Sequence, residues 1–432
     1  MNKNYRRRIV DNILKRKLES KGAVLIRGPK WCGKTTTGEQ FSNSVLYMSQ
    51  PQNFKRNMEL AQLSPEILLE GANPRLIDEW QLAPQLWDCV RFEVDHRGER
   101  GLFILTGSAM PVERTVNGLP TKFHTGTGRF AILDMLPMTL FESGESTGEV
   151  GLRHLFEQPE RISGYKSTGL EDIAYYMCRG GWPYAISDDL SQEAALEQAK
   201  DYVDVVVEED VSRVDGVERN VERARQLLRS YSRFQGAAAP ISQIKDDIKS
   251  NDSDNISDDT VRSYLNALRQ IFVIKDMEAW NPNLRSKAAI RSSPTRYFTD
   301  PSIAAASLRV GPKELLNDLN TMGLLFETLC IRDLRVYVQA LDGDIYHYRD
   351  SNGLECDAVV HLRNGDYGLV EIKLGGDKNI EMGCLNLNKL ESIIDVSKMK
   401  APSFKMILTA VGDYAYRRED GIYIVPITTL RD

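Results

Sequence analysis

The chain lacks several features that would assign it quickly to a class. None of its apolar runs approaches the roughly 20 residues that cross a bilayer, and its basic N-terminus has no apolar core of the secretory type. Its six cysteines include no CxxC pair, which argues against a zinc site and against a disulfide framework. These absences predict a protein of the reducing cytoplasm with no membrane association.

A positive net charge is missing as well. The formal net charge is −6, whereas proteins that coat nucleic acid are usually basic because neutralising phosphates supplies their non-specific affinity. Any contact with DNA therefore has to be local or weak. The clearest basic segment is residues 1–21, and we favour the interpretation that it is a solvated helix face packed on the first domain.

Short apolar runs alternate with helical stretches over residues 1–150. The chain has 432 residues, a length that corresponds to about three domains. Strands are predicted at 23–27, 44–48, 75–78, 101–107 and 130–135. Strands that alternate with helices predict a parallel, three-layer α/β sheet.

A phosphate-binding loop follows the first predicted strand. The sequence GPKWCGKT matches G-x-x-x-x-G-K-[ST] between a strand and a helix, and backbone N–H groups of such a loop cradle phosphate oxygens. The pattern predicts that ATP is bound by Gly28, Gly33, Lys34, Thr35 and Thr36. Lys34 is expected at the β- and γ-phosphates, and the Thr35 hydroxyl is expected on Mg²⁺.

Two carboxylates end the third predicted strand. The sequence LIDE is an apolar strand that ends in Asp78 and Glu79, which is typical of a Walker B segment. Asp78 is predicted to hold Mg²⁺ through water, and Glu79 to polarise the attacking water, a general-base contribution of about 10²–10⁴-fold. The next strand ends near Thr106 and Ser108, and either hydroxyl could orient that water.

Arg129 stands just before the fifth predicted strand. An arginine at this place suits an arginine finger, which stabilises charge on the γ-phosphate and often comes from a neighbouring subunit. This hypothesis predicts a homo-oligomer and leaves open whether Arg129 acts in cis or in trans. The alternative is an arginine that pairs with a surface acid.

Five motifs carry a family resemblance. GPKWCGKTT, LIDEWQLAP, FILTGSAMP and LPMTLFE occur in this order, and GGWP follows at 180–183. Together they resemble successive signatures of a prokaryotic group of AAA-type ATPases, the archaeal-type ATPases, which are relatives of the STAND signalling ATPases. The resemblance implies a helical lid in which a Gly–Pro element, here Gly181 and Pro183, lies near the nucleotide base. The group usually has Arg-Gln where this chain has Lys30-Trp31, a departure that leaves the phosphate-binding positions intact.

The order helix, helix, hairpin over residues 236–310 is typical of a winged helix. The second helix, at 258–271, would enter a major groove while the hairpin touches phosphates. The candidate contacts are Arg262, Tyr264, Asn266 and Arg269 on the helix and Arg285, Lys287, Arg291 and Arg296 on the hairpin. Winged helices also serve as protein-binding modules, so DNA contact and protein contact both stay open.

Three acids and a lysine recur in the last predicted domain. Asp357 ends LECD on one strand, and Glu371 and Lys373 share a face of the next because side chains alternate along a strand. Glu327 lies on the preceding helix. The set resembles the PD-(D/E)xK nuclease fold, which the same ATPase group commonly carries at its C-terminus. The resemblance implies that the acids bind a metal ion and that the lysine assists phosphodiester hydrolysis.

Four domains are therefore predicted: an AAA-type P-loop ATPase domain (1–150), a helical lid (151–235), a winged helix (236–310) and a restriction-endonuclease-like α/β domain (311–432). Two functions stay open. In the first, ATP hydrolysis controls a nuclease-like domain that acts on DNA. In the second, the chain is a nucleotide-dependent signalling switch or scaffold whose nuclease-like domain is catalytically inactive.

Overall fold

The computed structural model describes residues 5–109, 115–116, 119–120, 126–158, 162–252, 256–285, 287 and 289–432. The chain forms two compact units. Unit 1 comprises residues 1–136, 210–218 and 270–272. Unit 2 comprises residues 137–209, 219–269 and 273–432.

Helices and short strands alternate through the first part of the chain. In chain order they are α1 (Val10–Ser20), β1 (Ala23–Arg27), α2 (Lys34–Phe41), β2 (Ser44–Tyr47), α3 (Phe54–Leu63), α4 (Pro65–Leu68), β3 (Arg75–Asp78), α5 (Leu86–Arg97), β4 (Phe103–Gly107), β5 (Thr115–Val116), β6 (Leu119–Pro120) and β7 (Phe130–Asp134). A short 3-10 helix, Trp80–Leu82, follows β3.

A parallel sheet forms the centre of unit 1. Within the described residues its strand order is β2-β3-β4-β1-β7, and each neighbouring pair is parallel. Ile26 on β1 and Asp78 on β3 both lie in register with Thr106 on β4. Since parallel strands end at the same edge of a sheet, β1, β3 and β4 deliver their terminal residues to one place. The predicted parallel α/β sheet is confirmed.

The central strands of the sheet are buried on both faces because they are largely apolar. Residues 23–26 of β1 and 103–105 of β4 have no exposed surface, as expected for parallel strands covered on both sides. On one side Trp87 stacks on Phe130 with ring centroids 3.8 Å apart. This rigid core fixes the strand ends that carry the polar residues.

The rest of the chain begins with helices and closes with a second sheet. In chain order its elements are α6 (Leu140–Ser143), β8 (Val150–Gly151), α7 (Leu152–Glu157), β9 (Gly164–Tyr165), α8 (Leu170–Arg179), α9 (Gln192–Val205), α10 (Val211–Arg213), α11 (Val221–Arg233), α12 (Ile241–Asp252), α13 (Asp258–Gln270), α14 (Pro301–Leu308), α15 (Pro312–Asn317), α16 (Leu319–Ala340), β10 (Gly343–Arg349), β11 (Glu355–Leu362), β12 (Tyr367–Lys373), α17 (Asp377–Ile393), β13 (Phe404–Thr409), β14 (Tyr414–Arg417), β15 (Tyr423–Pro426) and β16 (Leu430–Arg431). Among these, α10 and the last residue of α13 belong to unit 1.

The larger sheet of unit 2 is mixed. In the described part of the chain its order is β10-β11-β12-β13-β15-β14-β9. The first three strands are antiparallel neighbours, whereas β12, β13 and β15 run parallel. Its core includes the buried side chains of Tyr348, Leu369 and Leu387. The sheet positions residues of β11 and β12 beside the long helix α16.

The segment predicted as a wing is a hairpin only at its base. Two bridges close the base, Ile274 to Phe298 and Met277 to Thr295. Farther out, the same segment bridges to residues of the C-terminal region, namely His347, Asp350 and Ile394. Trp280 is buried in the core of the mixed sheet. The outer half of the hairpin is therefore packed on that sheet and does not project as a free wing.

No helix within the described ranges combines the length and the apolar character that crossing a membrane requires. The 22-residue helix α16 is long enough, but it carries buried Arg332, Asp333 and Arg335. Arg332 pairs with Asp300 and with its neighbour Asp333. Arg335 donates to the backbone of Asp276.

Candidate functional site

The loop between β1 and α2 has the backbone of a phosphate cradle. A Cβ added at Gly28 would meet the carbonyl oxygen of Met135 at 2.0 Å, so the chain approaches too closely there for any side chain. Gly33 has φ 101°, a left-handed conformation, directly before the first turn of α2. Both glycines are therefore required by the path of the loop. Lys34, Thr35 and Thr36 then begin the helix.

Lys34 lies folded against this loop. Its ammonium donates to the carbonyl oxygens of Gly28 at 3.0 Å and Pro29 at 2.7 Å, and only 5% of the residue is exposed. The two carbonyl oxygens hold the cation over the centre of the loop. A phosphate bound in the cradle would offer this cation a stronger, charged partner.

Asp78 is the centre of the polar residues at the sheet edge. Its Oδ1 accepts hydrogen bonds from the hydroxyls of Thr35 at 2.7 Å and Thr106 at 2.6 Å. The strand register produces this arrangement, because β3 and β4 place Asp78 and Thr106 opposite each other. The structure thus brings together Thr35 and Asp78, which were predicted to hold the metal ion, and Thr106, which was predicted as a candidate to orient the attacking water. We call this group, with Lys34 and Glu79, the Asp78 site.

Glu79 follows Asp78 in a left-handed conformation, with φ 57°. For a residue with a side chain this backbone conformation costs about 1 kcal/mol, and it turns the chain sharply at the end of β3. The Glu79 carboxylate accepts hydrogen bonds from the Gln81 side-chain amide and, at 3.4 Å, from the Ser108 hydroxyl. Sequence reasoning assigned no role to Gln81, although it lies within the LIDEWQLAP motif.

The donor set fits ATP with magnesium. Mg²⁺ prefers oxygen ligands and keeps several waters, and the Thr35 hydroxyl and Asp78 carboxylate supply two oxygens side by side. The glycine-lined loop and the N-terminus of α2 suit phosphate oxygens. When bound, the metal would neutralise charge on the phosphates. Thr35 and Asp78 are the residues that would hold it.

The unusual dipeptide Lys30-Trp31 has a structural partner. The Lys30 ammonium pairs with the carboxylate of Asp210 at 2.5 Å, and Asp210 is 6% exposed. Trp31 has φ 64° and is 52% exposed. The pair ties the phosphate loop to the 210–218 segment of unit 1, a contact between residues 180 positions apart that sequence reasoning did not reveal.

Arg129 lies on the surface of unit 1. Its guanidinium donates to the Asp95 carboxylate at 2.7 Å, with both side chains about two-fifths exposed. The hydrogen bond to Asp95 raises the pKa of Arg129 above its ordinary value. This is the surface pair that the sequence analysis held as the alternative. A role as an arginine finger stays a prediction.

Two of the five motifs meet at a buried ion cluster in unit 2. Arg332 pairs with Asp300 at 2.9 Å and with Asp333 at 2.7 Å, and all three side chains are at most 1% exposed. The backbone N–H of Gly181 donates to Asp300 at 2.9 Å, and that of Leu140 donates to Asp333 at 2.9 Å. The GGWP and LPMTLFE motifs are therefore bound to this cluster. The predicted contact of Gly181 and Pro183 with a nucleotide base stays untested.

The acids and lysine of the C-terminal prediction come together. Lys373 on β12 pairs with Glu371 at 2.6 Å and with Asp357 on β11 at 3.3 Å. Glu327 on α16 accepts a hydrogen bond from the Tyr297 hydroxyl. We call Glu327, Asp357, Glu371 and Lys373 the carboxylate cluster.

Glu371 is buried, whereas the other three residues of the carboxylate cluster are half-buried, and Lys373 is the cation of the cluster. Burial, reinforced by the charge of Asp357, raises the pKa of both Glu327 and Glu371. Burial alone would lower the pKa of Lys373, but Asp357 and Glu371 raise it above its ordinary value. These shifts favour the charged form of Lys373 and the neutral forms of Glu327 and Glu371.

The cluster is closed in two ways. The Tyr297 hydroxyl donates a hydrogen bond to the Glu327 carboxylate. The backbone of Gly236 packs closely on the same carboxylate, since a Cβ added at Gly236 would lie 2.6 Å from one of its oxygens. Glu371 Oε1 is buried and has no hydrogen-bond partner in the described part of the chain. Over the same residues, no three His, Cys, Asp or Glu side chains are arranged to hold a metal ion. Metal binding here would need a rearrangement of these side chains.

The structure corrects two of the predicted DNA contacts. Tyr264 is 5% exposed, and its hydroxyl accepts a hydrogen bond from the backbone of Asn220. Arg296 is 7% exposed and pairs with Asp276 at 2.8 Å. Both were placed on the surface because helix and hairpin positions alone do not show which face is packed. Arg262, Arg285 and Lys287 are exposed, and DNA contact by them stays a prediction.

Three family models match successive parts of the chain. An AAA domain matches residues 20–143, a domain of unknown function (DUF8612) matches residues 170–314, and a second domain of unknown function (DUF4143) matches residues 322–430. The first match covers the loop and the sheet edge described above. The N-terminal part of the chain is accordingly similar to AAA domains, which supports the predicted AAA-type P-loop domain.

Two similar proteins are described by name only as uncharacterised. One from Mycobacterium bovis and one from Mycobacterium tuberculosis are each 23% identical over 368 residues, which cover 83% of this chain and 72% of the relative. Among solved structures, a Walker-type ATPase of Pyrococcus abyssi is similar with 14% identity and a TM-score of 0.38, covering 69% of this chain and 94% of that one. A TM-score this low adds nothing about the fold.

Proposed function

We propose that the chain binds ATP with Mg²⁺ and hydrolyses it at the Asp78 site. The observation that carries the proposal is the convergence on one Asp78 oxygen of hydroxyls from Thr35 and Thr106. These hydroxyls come from the helix after the loop and from the neighbouring strand. A carboxylate so placed, beside a phosphate cradle, has the oxygen chemistry that Mg²⁺ requires.

Each residue of the site has a distinct role in this proposal. Lys34 moves from the loop carbonyls to the phosphates, where it balances charge. Glu79 takes up the proton of the attacking water as general base. Gln81 and Ser108 hold the Glu79 carboxylate before the nucleotide arrives. Release of Glu79 from these two partners would then accompany catalysis.

The test is the turnover of ATP by the full chain and by Lys34→Ala. Loss of a positioned cation from a charge-stabilising site typically lowers turnover by about 10²–10³-fold. The variant is expected to lose hydrolysis and to bind ATP more weakly. Turnover in Lys34→Ala equal to that of the unmodified chain would refute the assignment of the loop.

For the C-terminal domain we propose that nucleotide state controls a nuclease-like activity on DNA. The proposal is supported by the convergence of Glu327, Asp357, Glu371 and Lys373 from one helix and two strands. The orphaned Glu371 oxygen is a further acceptor that a cation could use. Opening of the contact between Tyr297 and Glu327 would be needed first.

A second function is favoured by the closed state of the cluster. In it, the chain is a nucleotide-dependent switch or scaffold, and the nuclease-like domain only binds partners. Tyr297 and Gly236 cover Glu327, and the charge of Lys373 is used within the cluster. Such contacts are those of a site that stabilises the fold.

Cleavage of plasmid or branched DNA with Mg²⁺ or Mn²⁺ separates these functions. The nuclease proposal predicts cleavage that is lost in Asp357→Ala. If DNA stays intact, and Asp357→Ala behaves like the unmodified chain, the switch is the better account. Stimulation of the ATP turnover rate by DNA would indicate that the Asp78 site and the C-terminal domain are functionally coupled.

Oligomerisation enters the proposal through Arg129 alone. If Arg129 acts on ATP in a neighbouring subunit, Arg129→Ala mixed with Lys34→Ala should recover turnover, because each variant keeps what the other lacks. Inactivity at every mixing ratio would count against a finger supplied in trans. The ion pair with Asp95 would have to open for this role.

A further inference from the structure

A large cavity in unit 2 has no part in the functions proposed above. It has a volume of about 900 Å³ and is lined by residues of α8, α9, α11, α14 and α15. Its lining lies wholly within residues 178–314 and therefore within the match to a domain of unknown function at 170–314. This volume is in the range of about 300–1,000 Å³ that is typical of small-molecule sites.

The floor of the cavity is apolar. Ala199, Val203, Leu228 and Ala305 line it and are each at most 6% exposed. Cys178 lies among them, and burial raises the pKa of its thiol to about 12, so that it remains a neutral group. Such a floor suits the hydrocarbon or aromatic body of a ligand.

The charged residues of the cavity differ in whether they are already paired. Arg225 is bound to Asp204 and Glu208, and Lys200 is bound to Glu197. Glu314 accepts a hydrogen bond from the backbone of Gly311 at 2.9 Å. These charges are used within the fold.

Two arginines that line the cavity are unpaired. Within the described residues the side chains of Arg229 on α11 and Arg309 after α14 have no hydrogen-bond or ion-pair partner, and Glu222 is the one lining acid in the same condition. The cavity lining as a whole contains four basic and three acidic side chains and so has an excess of one positive charge. Guanidinium groups bind carboxylate and phosphate groups through two parallel hydrogen bonds.

Arg309 occupies a position that favours glycine. It ends α14 in a left-handed conformation, with φ 58°, which costs a residue with a side chain about 1 kcal/mol. Helices commonly end in this way with glycine or asparagine. Since the Arg309 guanidinium makes no hydrogen bond or ion pair with the described residues that would offset this cost, the strain points to a function for the guanidinium outside the fold.

Two further polar atoms of the lining are buried without partners. Gln226 Oε1 and Ser307 Oγ have no hydrogen-bond partner in the described part of the chain. An unsatisfied buried polar atom costs about 1–3 kcal/mol, so a ligand that offers a donor or an acceptor would be favoured here. Gln226 lies on α11 together with Arg229.

We infer that this cavity binds a small amphiphilic anion, with a carboxylate or phosphate head on Arg229 and Arg309 and an apolar body on the alanine, valine and leucine floor. Gln226 and Ser307 would bind polar groups near the head. The proposal is independent of ATP hydrolysis and of the carboxylate cluster.

Calorimetric titration of the full chain tests the inference with four probes. Octyl phosphate and octanoate carry both a head and a body, inorganic phosphate is a head alone, and octanol is a body alone. At least one of the two amphiphiles is expected to bind saturably with one molecule per chain, and the stronger one identifies the head. Lys34→Ala should bind it equally well, which separates the cavity from the phosphate loop.

Three variants connect the binding to the two arginines. Arg229→Gln and Arg309→Gln should each weaken binding about tenfold or more, since a hydrogen bond to a charged group contributes about 1.5–3 kcal/mol. Arg309→Gly should weaken binding equally and should not lower the melting temperature, because glycine relieves the strained backbone. Arg262→Gln removes an exposed arginine outside the cavity and is the matched control.

Several results would overturn the inference. It fails if neither amphiphile binds, or if Lys34→Ala, whose phosphate loop is weakened, binds inorganic phosphate or octanol as tightly as the amphiphile. It also fails if the Arg229 and Arg309 variants bind like Arg262→Gln.

Discussion

The Asp78 site and the carboxylate cluster use similar side chains in opposite surroundings. Asp78 lies at the end of a parallel strand and is bound by two neutral hydroxyls. The cluster has a lysine between two acids, a tyrosine on the third, and raised pKa values for Glu327 and Glu371. The neutral hydroxyls leave the negative charge of Asp78 available to a bound cation. In the carboxylate cluster, by contrast, Lys373 and burial already compensate the acids within the fold. The first arrangement is suited to catalysis and the second to a closed state.

The largest expected difference between the two sites is in ATP turnover. Asp78→Asn and Asp357→Asn each remove one negative charge while keeping the shape of the side chain. Asp78→Asn should lower Mg²⁺-dependent turnover about 10²-fold or more, because it removes a charge placed for the metal and phosphates. Asp357→Asn, the matched control in unit 2, should leave turnover without added DNA unchanged. An equal loss of ATP turnover in both variants would contradict the distinction between the two sites.

The lysines of the two sites should differ in their effect on stability. Lys373→Met leaves Asp357 and Glu371 without a cation, and breaking a buried pair is expected to cost about 3 kcal/mol. Lys34→Met removes only hydrogen bonds to two loop carbonyls, at a cost of about 1 kcal/mol. The free energy of unfolding in urea, measured without nucleotide, checks the order. A larger loss in Lys34→Met would contradict it.

Tyr297 should contribute less than Lys373. Tyr297→Phe removes the hydroxyl that donates to Glu327 and should cost about 1–2 kcal/mol. Because that hydrogen bond lowers the pKa of Glu327 against the larger effect of burial, the variant should also raise the pKa further. The loss of unfolding free energy is measured by urea denaturation. An unfolding free energy unchanged in Tyr297→Phe would mean that the contact does not hold the cluster closed.

The pH dependence of stability should be shallower when Glu327 cannot titrate. The pKa of Glu327 rises from 4.5 to about 8 in the fold. A carboxyl with a raised pKa stabilises the fold fully below its unfolded pKa, and the contribution is lost as pH rises through the folded value. The unmodified chain should therefore lose stability between about pH 4.5 and about pH 8. Glu327→Gln should lose less over this window. Identical slopes would show that Glu327 is ionised in the fold.

Local sequence order was sufficient to predict the Asp78 site. The loop, the two acids and Thr106 each follow a strand within a few residues, and parallel strands bring their ends together. The confirmed parts, the parallel sheet and the AAA-type P-loop domain, depend only on this regularity. The hydrogen bond from Gln81 to Glu79 could also have been predicted, because the two residues are close in the sequence.

Contacts between distant residues could not be predicted from the sequence. Asp95 and Arg129 lie 34 positions apart, and Gly181 and Asp300 lie 119 positions apart. No periodicity links such residues, because their contact depends on how helices pack. For the same reason the hairpin was predicted as a wing that touches phosphates, although Trp280 is buried in the core of the mixed sheet. The carboxylate cluster was predicted only because a family resemblance joined Glu327 to the strand residues.

The most direct test of the central claim is the behaviour of Glu79→Gln with ATP and Mg²⁺. Glu79 lies next to Asp78 but is bound by Gln81 and Ser108, so the substitution should leave the phosphate cradle and the metal ligands in place. We predict that the variant binds ATP with nearly unchanged affinity and hydrolyses it about 10²–10⁴-fold more slowly. Hydrolysis at the rate of the unmodified chain would contradict the account.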